Sequence, residues 1–240
     1  PETVVYLKNW SARIGSETQM LKAGTAEFSY DLTLTPAKPP VLHGRAVYSL
    51  KGSSPQRASY YYSYNRHEVD GHLTIGGKTF AVSGQGWMDH EFSTAMLEPG
   101  IKGWDWFSLQ LSDRTEIMVF LLRTDEGGIS AVSSGTFVDP EGKTRTIGKD
   151  DFAVTILDTW QSPHSKAVYP SRWRLRVFPF ALDLTISANL ADQEMRTSES
   201  TGVTYWEGSV SIRGTRDANP INGQGYVELT GYAESFDIPM

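Results

Sequence analysis

The chain reads as an all-β protein, and three observations point there. Apolar and polar residues alternate with period two in segment after segment. Turn-forming clusters rich in Gly, Pro, Asp and Asn recur at short intervals. No window carries a 3.6-residue apolar stripe over ten or more residues. Many strands with frequent turns suggest a barrel or a sandwich rather than a parallel α/β sheet.

The elements follow in order. Thr3 to Leu7 is the first expected strand. Glu27 to Leu34 places Phe28, Tyr30, Leu32 and Leu34 on one face. Arg45 to Leu50 and Ala58 to Tyr64 are further strands. His72 to Ile75 meets Thr79 to Val82 across Gly76-Gly77-Lys78, a short hairpin loop. Ser93 to Leu97 is the best short helical candidate. Gly103 to Leu111 and Glu116 to Arg123 pair across Ser112-Asp113-Arg114. Gly135 to Val138 and Thr144 to Ile147 flank the turn Asp139-Pro140-Glu141-Gly142. Arg172 to Val177 and Ala181 to Ile186 join at Phe178-Pro179-Phe180, and Thr204 to Gly214 and Gly225 to Phe236 close the pattern.

An internal echo runs through these strands. Gly71-His72-Leu73-Thr74-Ile75 precedes Gly84-Gln85-Gly86-Trp87, and Gly208-Ser209-Val210-Ser211-Ile212 precedes Gly223-Gln224-Gly225-Tyr226. An aromatic pair stands before each, Tyr61-Tyr62 and Tyr205-Trp206. A duplicated β unit would produce this order. The second unit would begin near Glu98-Pro99-Gly100, so the expected division is 1–97 and 98–240.

Composition excludes several functions. Hydrophobic residues are 39% and charged residues 21% of 240, as in ordinary folded domains. A net charge of -6 without a basic patch argues against nucleic acid as a partner. With no cysteine there is no disulfide and no thiol chemistry. No apolar run approaches the ~20 residues that span a bilayer. His43, His67, His72, His90 and His164 form no metal-ligand pair by spacing, so no metal is expected. The Gly-x-Ser-x-Gly elbow and the P-loop are absent, and the two Gly-Gln-Gly triplets lie in strand contexts, where Gly marks a bulge or a close backbone approach. The chain starts at Pro1 without a signal peptide. Either a leader has been removed or the chain is part of something longer.

The segment densest in chemistry is Trp87-Met88-Asp89-His90-Glu91-Phe92-Ser93. On a strand, Trp87, Asp89 and Glu91 share one face and Met88, His90 and Phe92 the other. If the first face is buried, desolvation and mutual repulsion raise at least one carboxyl pKa, and a neutral acid can then protonate a weak base. Gly103-Trp104-Asp105-Trp106-Phe107 repeats the theme, with Trp104 and Trp106 on one face and Asp105 and Phe107 on the other. Indole faces stabilise a cation by roughly 0.5–2 kcal/mol. The plainer reading makes the acidic cluster a set of hydrogen-bonded groups at a barrel rim and the two tryptophans core. Tyr61, Tyr62, Arg66 and His67, Asp192-Gln193-Glu194 and Tyr205-Trp206-Glu207 are read as structural or solvent-facing.

These segments, with Tyr61-Tyr62-Ser63, Asp192-Gln193-Glu194, Tyr205-Trp206-Glu207-Gly208 and Gly225-Tyr226-Val227-Glu228-Leu229-Thr230-Gly231-Tyr232, resemble the AttH-like, carotenoid 1,2-hydratase (hydroxyneurosporene synthase) family over nearly the whole chain. The resemblance implies two lipocalin-like antiparallel β-barrel units, the first incomplete here. Family members carry a further stretch before Val4-Val5-Tyr6-Leu7, with a Glu-Trp-Trp-Tyr-like motif absent from this chain. A lost N-terminal segment or a separate N-terminal chain is the partner this implies. Its activities include hydration of carotenoid alkenes and, in fungal relatives, cyclisation of the Diels–Alder type, both without a cofactor. Many bacterial members are described only as predicted secreted hydrolases.

The leading expectation is a cofactor-independent hydratase or cyclase acting on an isoprenoid- or polyketide-like molecule. Asp89 would be the acid, Glu91 or His90 would orient it or activate water, and Trp87, Trp104, Trp106, Tyr62 and Phe107 would contact the ligand. The alternatives are a non-catalytic carrier of a lipophilic ligand and a β-rich interaction module. A bacterial member would be periplasmic or secreted, a fungal biosynthetic relative cytoplasmic.

Overall fold

A computed structural model describes residues 2–45, 47–94 and 97–233. Its strands, in chain order, are β1 (Thr3–Leu7), β2 (Trp10–Ile14), β3 (Gln19–Gly24), β4 (Phe28–Pro36), β5 (Val41–Leu42), β6 (Tyr48–Leu50), β7 (Ala58–Ile75), β8 (Lys78–Phe92) and β9 (Ile101–Leu111). There follow β10 (Glu116–Thr124), β11 (Ser134–Val138), β12 (Thr144–Gly148), β13 (Phe152–Gln161), β14 (Val168–Val177), β15 (Leu182–Ala188), β16 (Glu194–Arg196), β17 (Thr204–Arg216) and β18 (Asn219–Leu229). Two single 3-10 turns, at Lys149–Asp151 and Phe178–Phe180, are the helical elements among the described residues. The fold is thus all-β, with two large antiparallel sheets of lipocalin-like type.

Two compact units divide the chain. The first holds residues 1–41 and 62–90, the second 42–61 and 91–240. The second unit takes up the chain from residue 91 onward, and residues 42–61 also belong to it. No local signal marks that excursion, because it depends on which surface the segment covers.

In the first unit β1, β2, β3, β4 and β7 pair in that order, and β8 pairs with β7. Cross-strand rows alternate in character. One row joins Val5, Ala12, Leu21 and Leu32, and the next joins Tyr6, Ser11, Lys22 and Asp31. Within the polar row, Lys22 and Asp31 form an ion pair at 2.7 Å.

The second sheet runs β12-β11-β10-β9-β18-β17-β15-β14-β13, with β16 beside β17, and curls around one core. Period-two alternation supplies that core. Phe107, Leu109 and Leu111 face inward from β9, and Ile117, Val119 and Leu121 from β10. Trp173, Leu175 and Val177 do so from β14, and Leu182, Leu184 and Ile186 from β15. Each such side chain stabilises the fold by roughly 1.5–3 kcal/mol on burial. Trp173, Trp206 and Tyr169 are at most 1% exposed. This interior is filled with side chains.

At one end of that core Asp105 meets Arg123 at 2.8 Å, and the Tyr232 hydroxyl lies 3.1 Å from both carboxylate oxygens. The Arg123 guanidinium stacks 3.9 Å from the Tyr232 ring. Burial raises the Asp105 pKa while Arg123 opposes the shift. The group ties residues 230–232 across the strands. Removing one partner of such a buried pair strands the other charge.

Several expected elements differ in extent. Ala58–Tyr64 and His72–Ile75 are one eighteen-residue strand, and the signature segment continues the strand that begins at Lys78. The final strand starts at Asn219 and ends at Leu229. Of the expected strand to Phe236, residues 234–236 lie outside the described residues, as do Ala95 and Met96 of the helical candidate. β2, β3, β5, β13 and β16 were not foreseen. The echo falls on two hairpins, β7–β8 and β17–β18. Each turns through two residues of positive φ, Gly76-Gly77 and Asp217-Ala218. In the second, Gly223 and Gly225 are close approaches, since a Cβ there would lie 2.4 and 2.3 Å from the Gln110 and Ser108 carbonyl oxygens. Gly84 has open space instead.

Candidate functional site

The outward face of β9 and its neighbours carries the site. Antiparallel register places Glu207, Glu228, Trp106 and Phe120 in one cross-strand row over β17, β18, β9 and β10. Four strands at ~4.8 Å spacing make this row about 14 Å long. The next row holds Ser209, Tyr226, Ser108, Met118 and Thr136.

Residues 42–61 dress one end of this face. Tyr61 receives a hydrogen bond from Trp106 Nε1 at 3.2 Å. The Lys51 ammonium lies 4.1 Å from the Phe120 ring centroid and 5.1 Å from that of Tyr61, both within cation–π range. It pairs with Glu91 at 2.9 Å, the two side chains being 20% and 37% exposed. The Ser59 hydroxyl donates to the same Glu91 carboxylate. His43 Nδ1 is 2.9 Å from Thr136 Oγ1, and its ring packs 4.3 Å from Tyr61. Burial, then the charge of Lys51, lowers the His43 pKa to about 3. The imidazole is neutral and serves as hydrogen-bonding structure.

The other end of the row is acidic and phenolic. Tyr205 shares an outward face with Glu207 on β17. Burial raises the Glu207 pKa, with Tyr205 partly opposing the shift. Burial first, then Glu207, Tyr205 and Glu228, pushes Tyr226 up to about 12. The two-residue turn at Asp217-Ala218 sets the register that puts Glu207 opposite Glu228.

The expected residues distribute as follows. The alternation of the signature segment holds: Asp89 accepts from the Ser63 hydroxyl and from Trp87 Nε1 at 3.0 Å, and Glu91 accepts from Ser59. On the other face the His90 ring stacks on Tyr62 at 5.1 Å and Phe92 on Tyr60 at 5.5 Å. Asp89, His90, Trp87 and Tyr62 belong to the first unit and Glu91 to the second. Asp89, His90 and Glu91 are exposed, not buried as one face of the segment was expected to be. Donors meet the oxygens of Asp89 and Glu91, which suits an acceptor or base. Trp104 and Trp106 share the half-buried outward face. Phe107 corrects the expected ligand wall: it packs edge-on to Trp173 at 5.8 Å inside the core, because alternation turns it inward.

Sequence reading missed Lys51 and His43, which reach the site only through tertiary packing. It read Tyr205-Trp206-Glu207 as structural or solvent-facing, and alternation sets Tyr205 and Glu207 on one face. Glu194 does match its structural reading. It accepts from Ser162 at 2.7 Å, from Ser165, and from Tyr169 at 3.1 Å, pinning the β13–β14 turn. Among the described residues no three His, Asp or Glu side chains converge as a metal-binding group, and no helix is long and apolar enough to cross a membrane.

Fold and site together define a lipocalin-like β protein with an acidic and aromatic outer face. More specifically, the AttH-like family model matches residues 1–232, and the chain belongs to that family. A protein from Nitrosomonas europaea assigned to AttH is similar at 33% identity and TM-score 0.87, over 96% of this chain and 70% of that one. Kievitone hydratase from Nectria haematococca shares the fold at 20% identity and TM-score 0.78, with the same coverage of each chain. CghA, solved with Sch210972, shares it at 12% identity and TM-score 0.59, again over 96% and 70%. Comparison with curated proteins gave no match.

Proposed function

We propose that the protein is a cofactor-independent enzyme of the hydratase or cyclase kind, acting on a hydrophobic isoprenoid- or polyketide-like molecule. The observation that carries this reading is the Lys51–Glu91 pair set against Phe120, Tyr61 and Trp106. The half-buried Trp106 indole, backed by the buried Phe120 and Tyr61 rings, offers a hydrophobic substrate an apolar face that tolerates positive charge developing on it. Glu91, fixed by Lys51 and Ser59, orients a water molecule and takes its proton as the oxygen bonds to carbon. Family membership supports the reading, and so do the names of two proteins that share the fold, kievitone hydratase and CghA with Sch210972. Asp89, with His90, Trp87 and Tyr62, is a second candidate set within the first unit.

The test is incubation of the purified protein with an acyclic isoprenoid bearing a terminal alkene and with a linear polyketide polyene, without cofactor. The expected product has gained one water or is an isomeric ring. Glu91→Gln is expected to lower kcat by roughly 10²–10⁴-fold if it is the base, and Asp89→Asn to do so if that role falls in the first unit. A protein that binds the probe and leaves it unchanged is a carrier, and the enzymatic reading is then wrong.

A further inference from the structure

We propose that the outer face of β14, with its neighbours β13, β15 and β17 in the second unit, docks the protein on an anionic lipid bilayer. The proposal goes beyond the reading above and stands on different residues. Period-two alternation makes the surface. On β14 Trp173, Leu175 and Val177 enter the core, so Arg172, Arg174 and Arg176 all point outward. Their positions are ~7 Å apart along the strand. Pairing through Thr185 brings Arg213 of β17 into the row of Arg174. All four arginines are exposed.

Most of this positive charge is uncompensated. Arg174 is held by Asp183 at 2.8 Å. Among the described residues no carboxylate forms an ion pair with Arg172, Arg176 or Arg213. Asp158 stands opposite Arg172 in register and accepts from the Thr159 amide at 2.8 Å instead. Four cations therefore face two carboxylates here, on a chain whose net charge is -6. The negative charge elsewhere acts weakly on this face, because at physiological salt the field of a surface charge fades over ~8 Å.

Apolar side chains bracket the arginines. Val168 begins the same outward stripe and is 49% exposed. Phe178 follows it at 52%, with the Arg176 guanidinium 5.5 Å from its ring. Leu157, 46% exposed, sits at the bulge of the edge strand β13 beside Arg172. Guanidinium groups bond lipid phosphates two hydrogens at a time, and the apolar side chains gain by entering the headgroup region. The face is the outside of a sheet curled around its core, so it is convex. A convex stripe meets a planar bilayer but offers no groove to track a nucleic-acid strand. A bilayer is also where lipophilic molecules concentrate.

Co-flotation with vesicles tests this, using phosphatidylcholine alone and phosphatidylcholine with about 30% phosphatidylglycerol. Wild type is expected to float with the anionic vesicles only, and to be released as salt rises. The triple variant Arg172→Gln, Arg176→Gln, Arg213→Gln is expected to partition roughly 10²-fold more weakly, with unchanged thermal unfolding. If it does not fold, Arg172→Gln and Arg213→Gln decide singly, each with a loss of roughly fivefold. Phe178→Ser is expected to weaken binding and keep its salt dependence. A wild type that ignores anionic vesicles, or binds both kinds alike, overturns the proposal. So do arginine variants that bind as wild type does. A protein that binds a single-stranded oligonucleotide and not the vesicles overturns it in favour of nucleic acid. Vesicle binding is measured without turnover, so its failure leaves the reading of the site intact.

Discussion

The two faces of β9 make the instructive comparison. Inward, Asp105, Phe107, Leu109 and Leu111 enter a core with little residual exposure, and the one charged group there is bound by Arg123 and Tyr232. Outward, one residue along, Trp104 and Trp106 are half-buried, and the row through Trp106 collects Glu207, Glu228, Tyr61, Lys51 and Glu91. Lipocalin-like barrels often hold a ligand inside. Here the interior of the second unit is occupied by Trp173, Trp206 and Phe107, so the chemistry is assigned to the outside of the sheet. Family fold and ligand position are separate matters.

Substitutions on the two faces should therefore separate stability from function. Trp173→Ala is expected to cost roughly 3–5 kcal/mol by opening the core, measured by urea unfolding. Trp106→Ala is expected to cost roughly 1–2 kcal/mol but to weaken binding of the hydrophobic probe about tenfold or more, read by titration. Equal stability losses at both positions would erase the contrast. Lys51→Met breaks the Glu91 pair. Because both partners are partly exposed, its stability cost is expected within about 1 kcal/mol, with the larger effect on kcat.

Acid should act through the buried edge of the outward face. His43 titrates near 6.5 when unfolded and near 3 when folded, so between those values the unfolded state binds the extra proton. Stability is then full above pH 6.5 and falls as pH drops towards 3. Lys51, Tyr61 and Thr136 lie around the ring. His43→Gln should flatten that slope in urea titrations across the window. The smallest expected effect is at the β17–β18 turn. Ala218 has φ 63, and Ala218→Gly should stabilise by about 1 kcal/mol without moving the Glu207–Glu228 register, seen as an unchanged pattern of backbone amide resonances.

Alternation made much of this legible. The facing of Trp87, Asp89 and Glu91 against His90 and Phe92, the two faces of β9, and the hairpin at Gly76-Gly77 are all readable from period two and turn chemistry. The β17–β18 hairpin was not, because Asp217-Ala218 is an unusual pair for two positive φ values. Lys51 and His43 were not, because they sit in a segment with no periodic signal and act through residues far along the chain. The exposure of Asp89 was not, because alternation assigns a face but not what covers it. The echo adds one sharper link: Trp87-Met88-Asp89 and Tyr226-Val227-Glu228 occupy matching places after their Gly-Gln-Gly triplets, an aromatic and a carboxyl on one face in each.

The most direct test of the outward assignment follows the seven indole N–H resonances of the ¹⁵N-labelled protein as an acyclic isoprenoid is titrated in. The account expects the Trp106 signal to move in proportion to occupancy while those of Trp173 and Trp206 stay in place. Movement of Trp173 or Trp206 with Trp106 unshifted would place the ligand inside the barrel and contradict it.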